Sequence, residues 1–208
     1  MSRLENIWRK LAGDERGVTI VEFAFVAPPL ILILVGGLDF AHRSYVHSVM
    51  QGALNDAARR ASVEDPSVGG TGTIEERVAA MITEQVDTIA PSAILKVEQS
   101  NYFDFSGIGN PEKIVKDVDK DGTFDEDDGD CFSDLNENGE FDLDTGREGR
   151  GGANDVVFYE ATLTMNAILP LKAFIGGDST YTLKADTAIR NQPWETQATP
   201  PTVCGTPT

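Results

Sequence analysis

Acidic residues recur along residues 117–128 at the spacing of a twelve-position calcium loop. Gly122 occupies position 6, where such a loop must turn sharply, and the apolar Phe124 occupies position 8. Calcium is a hard cation that takes six to eight oxygen ligands. The sequence therefore predicts a calcium site with carboxylates at positions 1, 3, 5, 9 and 12 and a backbone carbonyl at position 7, which are Asp117, Asp119, Asp121, Asp125, Asp128 and Thr123.

A second copy of the pattern follows at residues 134–145, again with glycine at position 6. Position 12 is Thr145, a poor substitute for a bidentate carboxylate. Either Asp144 compensates for it or this second site is weak. The predicted ligands here include two neutral asparagines, and they are Asp134, Asn136, Asn138, Glu140 and Asp142.

The two loops lack the helices of an EF-hand, because only residues 129–133 (GDCFS) separate them. The segment resembles the helix-free calcium loops of dockerin and thrombospondin type 3 repeats more than an EF-hand sensor. We therefore expect calcium to act as a structural clip, with a dissociation constant of about 10⁻⁴ to 10⁻³ M, and not as a switch. The alternative is a solvated acidic linker that binds no ion.

Two cysteines, Cys131 and Cys204, lie far apart and belong to no CxxC or Cys/His cluster. In an exported domain they could pair and staple the C-terminal tail to the acidic region. A disulfide closing so long a loop would stabilise the fold by roughly 4 kcal/mol on the chain-entropy estimate. The alternative is two unrelated thiols. The Pro- and Thr-rich tail is expected to be poorly ordered unless Cys204 ties it down.

Upstream of these groups, residues 18–38 form an apolar run in which Glu22 is the one ionisable side chain. About 20 apolar residues cross the hydrocarbon core of a bilayer as a helix, and membrane helices tolerate prolines such as Pro28 and Pro29. The run therefore predicts a transmembrane helix. A cleaved signal peptide is the competing interpretation, but the following GGLDFAHRSYVH contains no convincing A-x-A cleavage site.

Basic residues flank this run unequally. Residues 1–17 carry four of them, whereas the stretch just after the span carries Arg43 alone. The positive-inside rule then predicts a cytoplasmic N-terminus and an exported remainder. The four leader residues are Arg3, Arg9, Lys10 and Arg16.

The start of the apolar run, RGVTIVEF, looks like a type IV prepilin processing motif, with Gly17 followed by four residues and then Glu22 and Phe23. The wider stretch RGVTIVEFAFVAPPLILILVGGLDFAHRSY resembles the TadE-like family of the tight-adherence (Flp) pilus system, over roughly residues 15–60. The resemblance implies that a prepilin peptidase cuts after Gly17 and leaves Val18 first. It also implies a companion pseudopilin and inner-membrane pilus assembly proteins as partners.

In such a subunit Glu22 would be the fifth residue of the mature chain. A carboxylate at the membrane edge is costly unless it is paired. Its natural partner in a pilin-like assembly is the freed N-terminal ammonium of its own or a neighbouring chain. The alternative is that Glu22 merely reaches the lipid headgroups.

The remaining pattern predicts the elements that carry these sites. An apolar stripe continues the first helix to about Ser62, and Thr73 with Glu76 forms a capping box before a second amphipathic helix. Period-two alternation then predicts antiparallel strands near residues 95–97, 157–165 and 181–189. The fold class is therefore α+β and pilin-like: a long N-terminal transmembrane helix, then a small antiparallel sheet domain with a second helix. The helical stripe comprises Val46, Met50, Ala53, Ala57 and Ala61.

The chain of 208 residues divides into a cytoplasmic leader (1–17), the transmembrane helix (18–38), an exported α+β domain (39–192) and a tail (193–208). The acidic insert, 104–155, lies within the domain. Residues 101–155 hold 17 acidic and 5 basic residues, so −12 of the net charge of −17 lies there. Such a block repels nucleic acid, and no nucleic-acid partner is expected.

No catalytic arrangement is evident in the sequence. His42 and His47 are five apart and do not share a helix face, and neither GxSxG nor HExxH occurs. The GREGRGG stretch has no preceding strand and no Gly-Lys-Ser/Thr, so it is expected to be a flexible return and not a phosphate loop. A membrane-anchored hydrolase is thus a remote interpretation.

The function expected from these features is structural, with no enzymatic activity. The chain would be a TadE-like minor pseudopilin, single-pass in the inner (cytoplasmic) membrane, with a periplasmic or extracellular domain stabilised by calcium. The alternative is a membrane-tethered, calcium-binding, adhesin-like module unconnected with pili.

Overall fold

The computed structural model describes residues 18–66, 68–167, 176 and 180–207. The predicted leader, residues 1–17, lies outside this part. The helices are α1, Val18–Ala61, α2, Ile74–Asp87, and a 3₁₀ turn, Phe105–Gly107. The strands are β1, Ile94–Tyr102, β2, Lys113–Lys116, β3, Cys131–Ser133, β4, Arg147–Glu148, β5, Val156–Asn166, β6, Thr180–Arg190, and β7, Thr202–Cys204. An apolar N-terminal helix, a second helix and antiparallel sheets confirm the predicted α+β class.

The chain divides into two compact units, Met1–Ser44 with Ala167–Ser179, and Tyr45–Asn166 with Thr180–Thr208. In the first unit, α1 carries apolar side chains on every face, and Phe23, Phe25 and Ile33 are 68–78% exposed. Both prolines, Pro28 and Pro29, lie inside the helix. In the described part of the chain one helix is long and apolar enough to cross a membrane; its most apolar window has a mean hydropathy of 2.2 and is unburied.

The second unit is built on a four-stranded antiparallel sheet with the order β4-β1-β5-β6. One face of this sheet shares a single apolar core with α1 and α2. The helical stripe predicted from residue 46 onward is confirmed, because its members are at most 1% exposed. The core also contains Leu54, Ala58, Val78, Ile82, Val86, Val157, Tyr159, Ala161, Leu163, Met165 and Ala185.

Strand alternation places polar residues on the other face of this sheet, where Lys184 Nζ lies 2.6 Å from Glu160 Oε1. The outer edge of β6 is covered by α1: Gln51 donates to the Asp186 carbonyl at 2.9 Å, and His47 Nε2 lies 2.9 Å from the Lys184 carbonyl. α2 begins with the predicted capping box, in which Thr73 and Glu76 each accept the other's backbone N–H. These contacts satisfy backbone groups that solvent would otherwise have to hydrate.

A second sheet with the order β2-β3-β7 joins the acidic insert to the C-terminal tail. In it β3 lies between β2 and β7, and Cys131 pairs in register with Cys204. The tail thus contributes strand β7, which ends at Cys204, to this sheet. The expected flexible return at GREGRGG is wrong, because Arg147 and Glu148 form β4 and pair with β1.

Candidate functional sites

The predicted processing site adjoins the described part of α1. Gly17 lies outside the described residues, and Val18 is the first described residue of the helix. Glu22 and Phe23 follow in its first turns and are exposed, Phe23 to 68%. Glu22 is thus an exposed carboxylate, and it is the one ionisable residue of the apolar stretch 18–38.

The first candidate metal centre lies in residues 117–128, called loop 1 below. The carboxylates of Asp117, Asp119 and Asp121 converge, with one oxygen of each within 4.8 Å of the others. Asp117 Oδ2 accepts the Gly122 N–H at 2.9 Å, and Asp121 Oδ1 accepts the Thr123 N–H at 2.7 Å. The backbone thus folds around three acidic groups as the predicted spacing requires.

Asp128 closes loop 1 at position 12. Desolvation and then the negative charges of Asp125, Asp119, Asp130 and Asp121 raise the pKa of the Asp128 carboxyl. The predicted ligands at positions 1, 3, 5, 9 and 12 therefore lie in one region and repel one another. A divalent cation is the group that best offsets such repulsion.

Residues 134–145, called loop 2, repeat this conformation. Asp134 Oδ2 accepts the Gly139 N–H at 2.8 Å, as Asp117 does for Gly122, and Asn138 Oδ1 accepts the Glu140 N–H at 2.7 Å. Both glycines have φ of 84°. Position 4 is also left-handed in each loop, with φ of 65° at Lys120 and 60° at Glu137. The repeat seen in the sequence is thus also a repeat of backbone geometry.

Loop 2 differs in its ligand set. Asn136 and Asn138 donate their side-chain amides to Asp142 Oδ2 at 2.7 and 2.5 Å. Thr145 is buried, and its hydroxyl donates to the Gly107 carbonyl at 3.2 Å. No carboxylate stands at position 12, so this loop has fewer charges to hold an ion.

Asp144, the residue expected to compensate for Thr145, has other partners. Its Oδ1 accepts the Gly146 N–H at 3.1 Å. Burial raises the pKa of the Tyr102 phenol, and the charge and hydrogen bond of Asp144 add to this effect. Asp144 therefore contacts Tyr102 and the backbone of Gly146.

The two loops meet through the apolar residue at position 8 of each. Phe124 and Phe141 stack with ring centroids 4.6 Å apart and an interplanar angle of 14°. Phe132 of β3 meets both rings edge-on, at 5.0 and 5.5 Å. Aromatic pairs in these geometries contribute about 0.5–1.5 kcal/mol beyond their buried area. The loops therefore form one paired module.

Two buried carboxylates that the sequence analysis missed hold the loop backbones. Asp130, 0% exposed, accepts the N–H groups of Val118 and Asp125 at 2.8 and 3.1 Å, which are positions 2 and 9 of loop 1. Asp130 thus ties two separate points of the loop 1 backbone to one buried side chain.

Glu112, 3% exposed, does the same for loop 2 and accepts the N–H groups of Leu135 and Asp142 at 2.7 and 3.2 Å. Burial raises the pKa of Glu112, and these N–H groups oppose that shift. We call Asp130 and Glu112 the clamp residues. Asp130 follows its loop in the sequence, whereas Glu112 precedes its loop. No repeated spacing therefore identifies the two residues from the sequence.

The two cysteines are joined by a disulfide, with Cys131 and Cys204 Sγ atoms bonded across β3 and β7. Cys131 is buried among the loops, whereas Cys204 is exposed. The bond closes a sequence separation of 73 residues and fixes the tail against the acidic insert.

Comparison with known proteins gives one match to a family model. Residues 17–59 match the model described as TadE-like protein. No curated protein and no solved structure matches the chain. The matched stretch contains the predicted cleavage site, Glu22 and nearly all of α1, and it excludes both acidic loops. The N-terminal segment of the chain is therefore similar to TadE-like proteins over these residues.

Proposed function

We propose that this chain is a minor pseudopilin of a Flp-type pilus, anchored in the cytoplasmic membrane by α1. The observation that carries the proposal is that the TadE-like segment, residues 17–59, coincides with nearly all of the described part of α1, an apolar helix whose membrane-length window is unburied. The basic leader supports a cytoplasmic N-terminus, and the α+β domain then lies outside the cytoplasm. The adhesin-like alternative does not account for the family match.

In this proposal a prepilin peptidase removes the leader after Gly17. The new ammonium of Val18, or that of a neighbouring subunit, then pairs with Glu22 at the membrane boundary. Pairing removes most of the cost of holding a carboxylate there, so assembly with a companion pseudopilin is favoured over the isolated subunit. Glu22 is therefore an assembly residue, and the chain has no enzymatic role.

Cross-linking in native membranes tests the assembly role. We expect the Glu22→Gln protein to insert and to be cleaved normally. Its yield of cross-links to partner subunits should be at least tenfold lower than that of the unaltered protein. Glu64→Gln, an exposed carboxylate outside the matched segment, is the control and should cross-link like the unaltered protein. Undiminished cross-linking of Glu22→Gln would contradict the proposal.

Protease accessibility tests the proposed orientation of the chain in the membrane. Protease added to spheroplasts, but not to inverted vesicles, should digest the domain.

We also propose that loop 1 binds calcium as a structural ion and that loop 2 binds it more weakly. Asp117, Asp119, Asp121, Asp125 and Asp128 would hold it in loop 1, with the Thr123 carbonyl. The proposal is supported by the convergence of Asp117, Asp119 and Asp121 and by the repulsion that acidic neighbours exert on the Asp128 carboxylate. When bound, calcium supplies positive charge that offsets this repulsion and stabilises the insert.

Thermal unfolding of the full chain in detergent micelles tests this second proposal. At about 10 mM calcium, a dissociation constant of 10⁻⁴ to 10⁻³ M gives roughly 1.4–2.7 kcal/mol of stabilisation. For a chain of this size that corresponds to a rise of about 3–10 °C in Tm.

Asp117→Ala combined with Asp128→Ala should abolish the rise in Tm. Asp127→Ala is the matched control, because it removes an exposed charge from the same loop at a position that no ligand occupies. The control should retain the rise. A Tm that is equal in calcium and in chelator would contradict the calcium proposal while leaving the pseudopilin proposal intact.

A further inference from the structure

The C-terminal segment, residues 202–207, lies against the end of loop 1, and we call it the strap. Strand β7 within it pairs with β3, and the Gly205 N–H donates to the Asp130 carbonyl at 2.9 Å. The packing leaves no spare room. A Cβ atom at Gly205 would lie 2.2 Å from the Glu126 carbonyl oxygen, and one at Gly129 would lie 2.7 Å from Pro207 Cγ.

Asp130 connects the strap to loop 1. Its carboxylate accepts the N–H groups of Val118 and Asp125, and its carbonyl accepts the Gly205 N–H. The next residue is Cys131, whose disulfide to Cys204 fixes the strap. A buried carboxylate that holds two backbone N–H groups works only if it is kept in place. The disulfide therefore acts on the same residue that orders loop 1.

We propose that the strap is a redox-sensitive latch: the Cys131–Cys204 disulfide holds Asp130 in its clamping position, and reduction releases the strap and loosens loop 1. The reductant is a dithiol. One of its thiolates attacks Sγ of the exposed Cys204, and Cys131 leaves as a thiolate that takes up a proton. The second thiol of the reductant then displaces Cys204, so that two thiols form in the chain and the reductant becomes a disulfide.

Loop 2 is held by a different residue and should respond less. Its clamp, Glu112, precedes β2 and has no contact with the strap among its hydrogen bonds. The residue just before the strap, Pro201, makes one contact with loop 2: its carbonyl accepts the Asp134 N–H at 2.9 Å. The large sheet and its helices have their own core. Reduction should therefore loosen loop 1 first, whether or not the loops bind calcium.

Hydrogen exchange of the full chain in detergent micelles, with chelator present, tests the latch without reference to calcium. On reduction by dithiothreitol, exchange at the Val118 and Asp125 amides should accelerate at least tenfold. Exchange at Leu135 and Asp142 should accelerate less than exchange at Val118 and Asp125, because loop 2 responds through the stacked rings of Phe124 and Phe141, and β5 should not change. Unchanged exchange in loop 1, or equal acceleration in loop 1, loop 2 and β5, would overturn the proposal.

A variant with both cysteines intact separates the latch from any general effect of reduction. Gly205→Ala should push the strap away from Glu126 and accelerate exchange in loop 1 as reduction does, while mass spectrometry shows the disulfide still formed. Gly69→Ala is the control, because nothing lies within 4 Å of a Cβ there, and it should leave exchange unchanged. A Gly205→Ala protein whose loop 1 exchanges as slowly as the unaltered protein would also overturn the proposal.

Discussion

The stacked rings of Phe124 and Phe141 give the sharpest test of whether the two acidic loops behave as one module. Each ring sits at position 8 of its own loop, and their centroids lie 4.6 Å apart. The contact between the two rings is enough by itself to couple the stability of loop 1 to that of loop 2. Replacing either ring by alanine removes the shared contact and leaves the other loop's hydrogen bonds in place.

The expected size of the effect follows from the burial of the rings. Phe→Ala at a fully buried site costs about 3–5 kcal/mol. Phe124 and Phe141 are partly exposed, so about 2 kcal/mol is expected for each. Beyond that, the stacked pair should contribute a coupling energy of about 0.5–1.5 kcal/mol. The double variant should therefore lose less stability than the two single losses added together.

Native-state hydrogen exchange at the Gly122 and Gly139 amides measures this, because each N–H is bonded inside its own loop. Phe124→Ala should lower the opening free energy at both glycines and not at Gly122 alone. Phe105→Ala, which removes a half-exposed ring outside the loops, is the control and should affect neither. Strictly additive effects, confined to the loop that was changed, would refute the idea of a single module.

Three further predictions concern the fold that carries the loops. Leu163→Ala, at a fully buried position of β5, should cost about 2–5 kcal/mol in urea unfolding, with no change in membrane insertion. Thr73→Ala should cost about 1 kcal/mol in the same assay, because it removes the capping box with Glu76. The Ser106 hydroxyl holds the pKa of Asp104 below its ordinary value of 3.8, so Asp104→Ala should destabilise the fold at pH 7. The share of this difference that comes from the ionised carboxylate should be lost as the pH falls from 3.8 through the lower folded-state pKa, as urea unfolding over that pH range can show.

Local periodicity was enough to predict the two α-helices and the three long strands β1, β5 and β6, but not the short strands β2, β3, β4 and β7. The stripe from Val46 to Ala61 has the spacing of one helix face, and the alternation around Tyr159 has that of a half-buried strand. Both patterns can be recognised from residues that are close to one another in the sequence. The convergence of Asp117, Asp119 and Asp121 could be predicted for the same reason, because their spacing folds the backbone around a point. That the loops bind calcium stays a prediction.

The clamp residues could not be predicted, because their partners are set by the tertiary fold. Asp130 lies 12 residues after Val118, whereas Glu112 lies 23 residues before Leu135. Each nevertheless accepts the backbone N–H groups at positions 2 and 9 of its loop. A single acidic residue in an acidic segment carries no signal of such a role. Burial distinguishes them, and burial depends on how the sheets assemble.

The same limit explains the incorrect expectation for GREGRGG. Its glycines suggested a flexible return, but the side-chain amide of Asn101 donates to the carbonyls of Arg147, Glu148 and Gly149. Asn191 donates to two more carbonyls of the same stretch. One buried asparagine on a neighbouring strand thus replaces the hydrogen bonds that a longer strand would provide.

The mature N-terminus of the protein purified from its native membrane is the most direct test of the proposed function. Mass spectrometry of the intact chain and of its N-terminal peptide should find Val18 as the first residue, with the apolar helix retained. A chain that still begins at Met1 or Ser2, or one released into solution without residues 18–38, would contradict a processed pseudopilin held in the bilayer by α1.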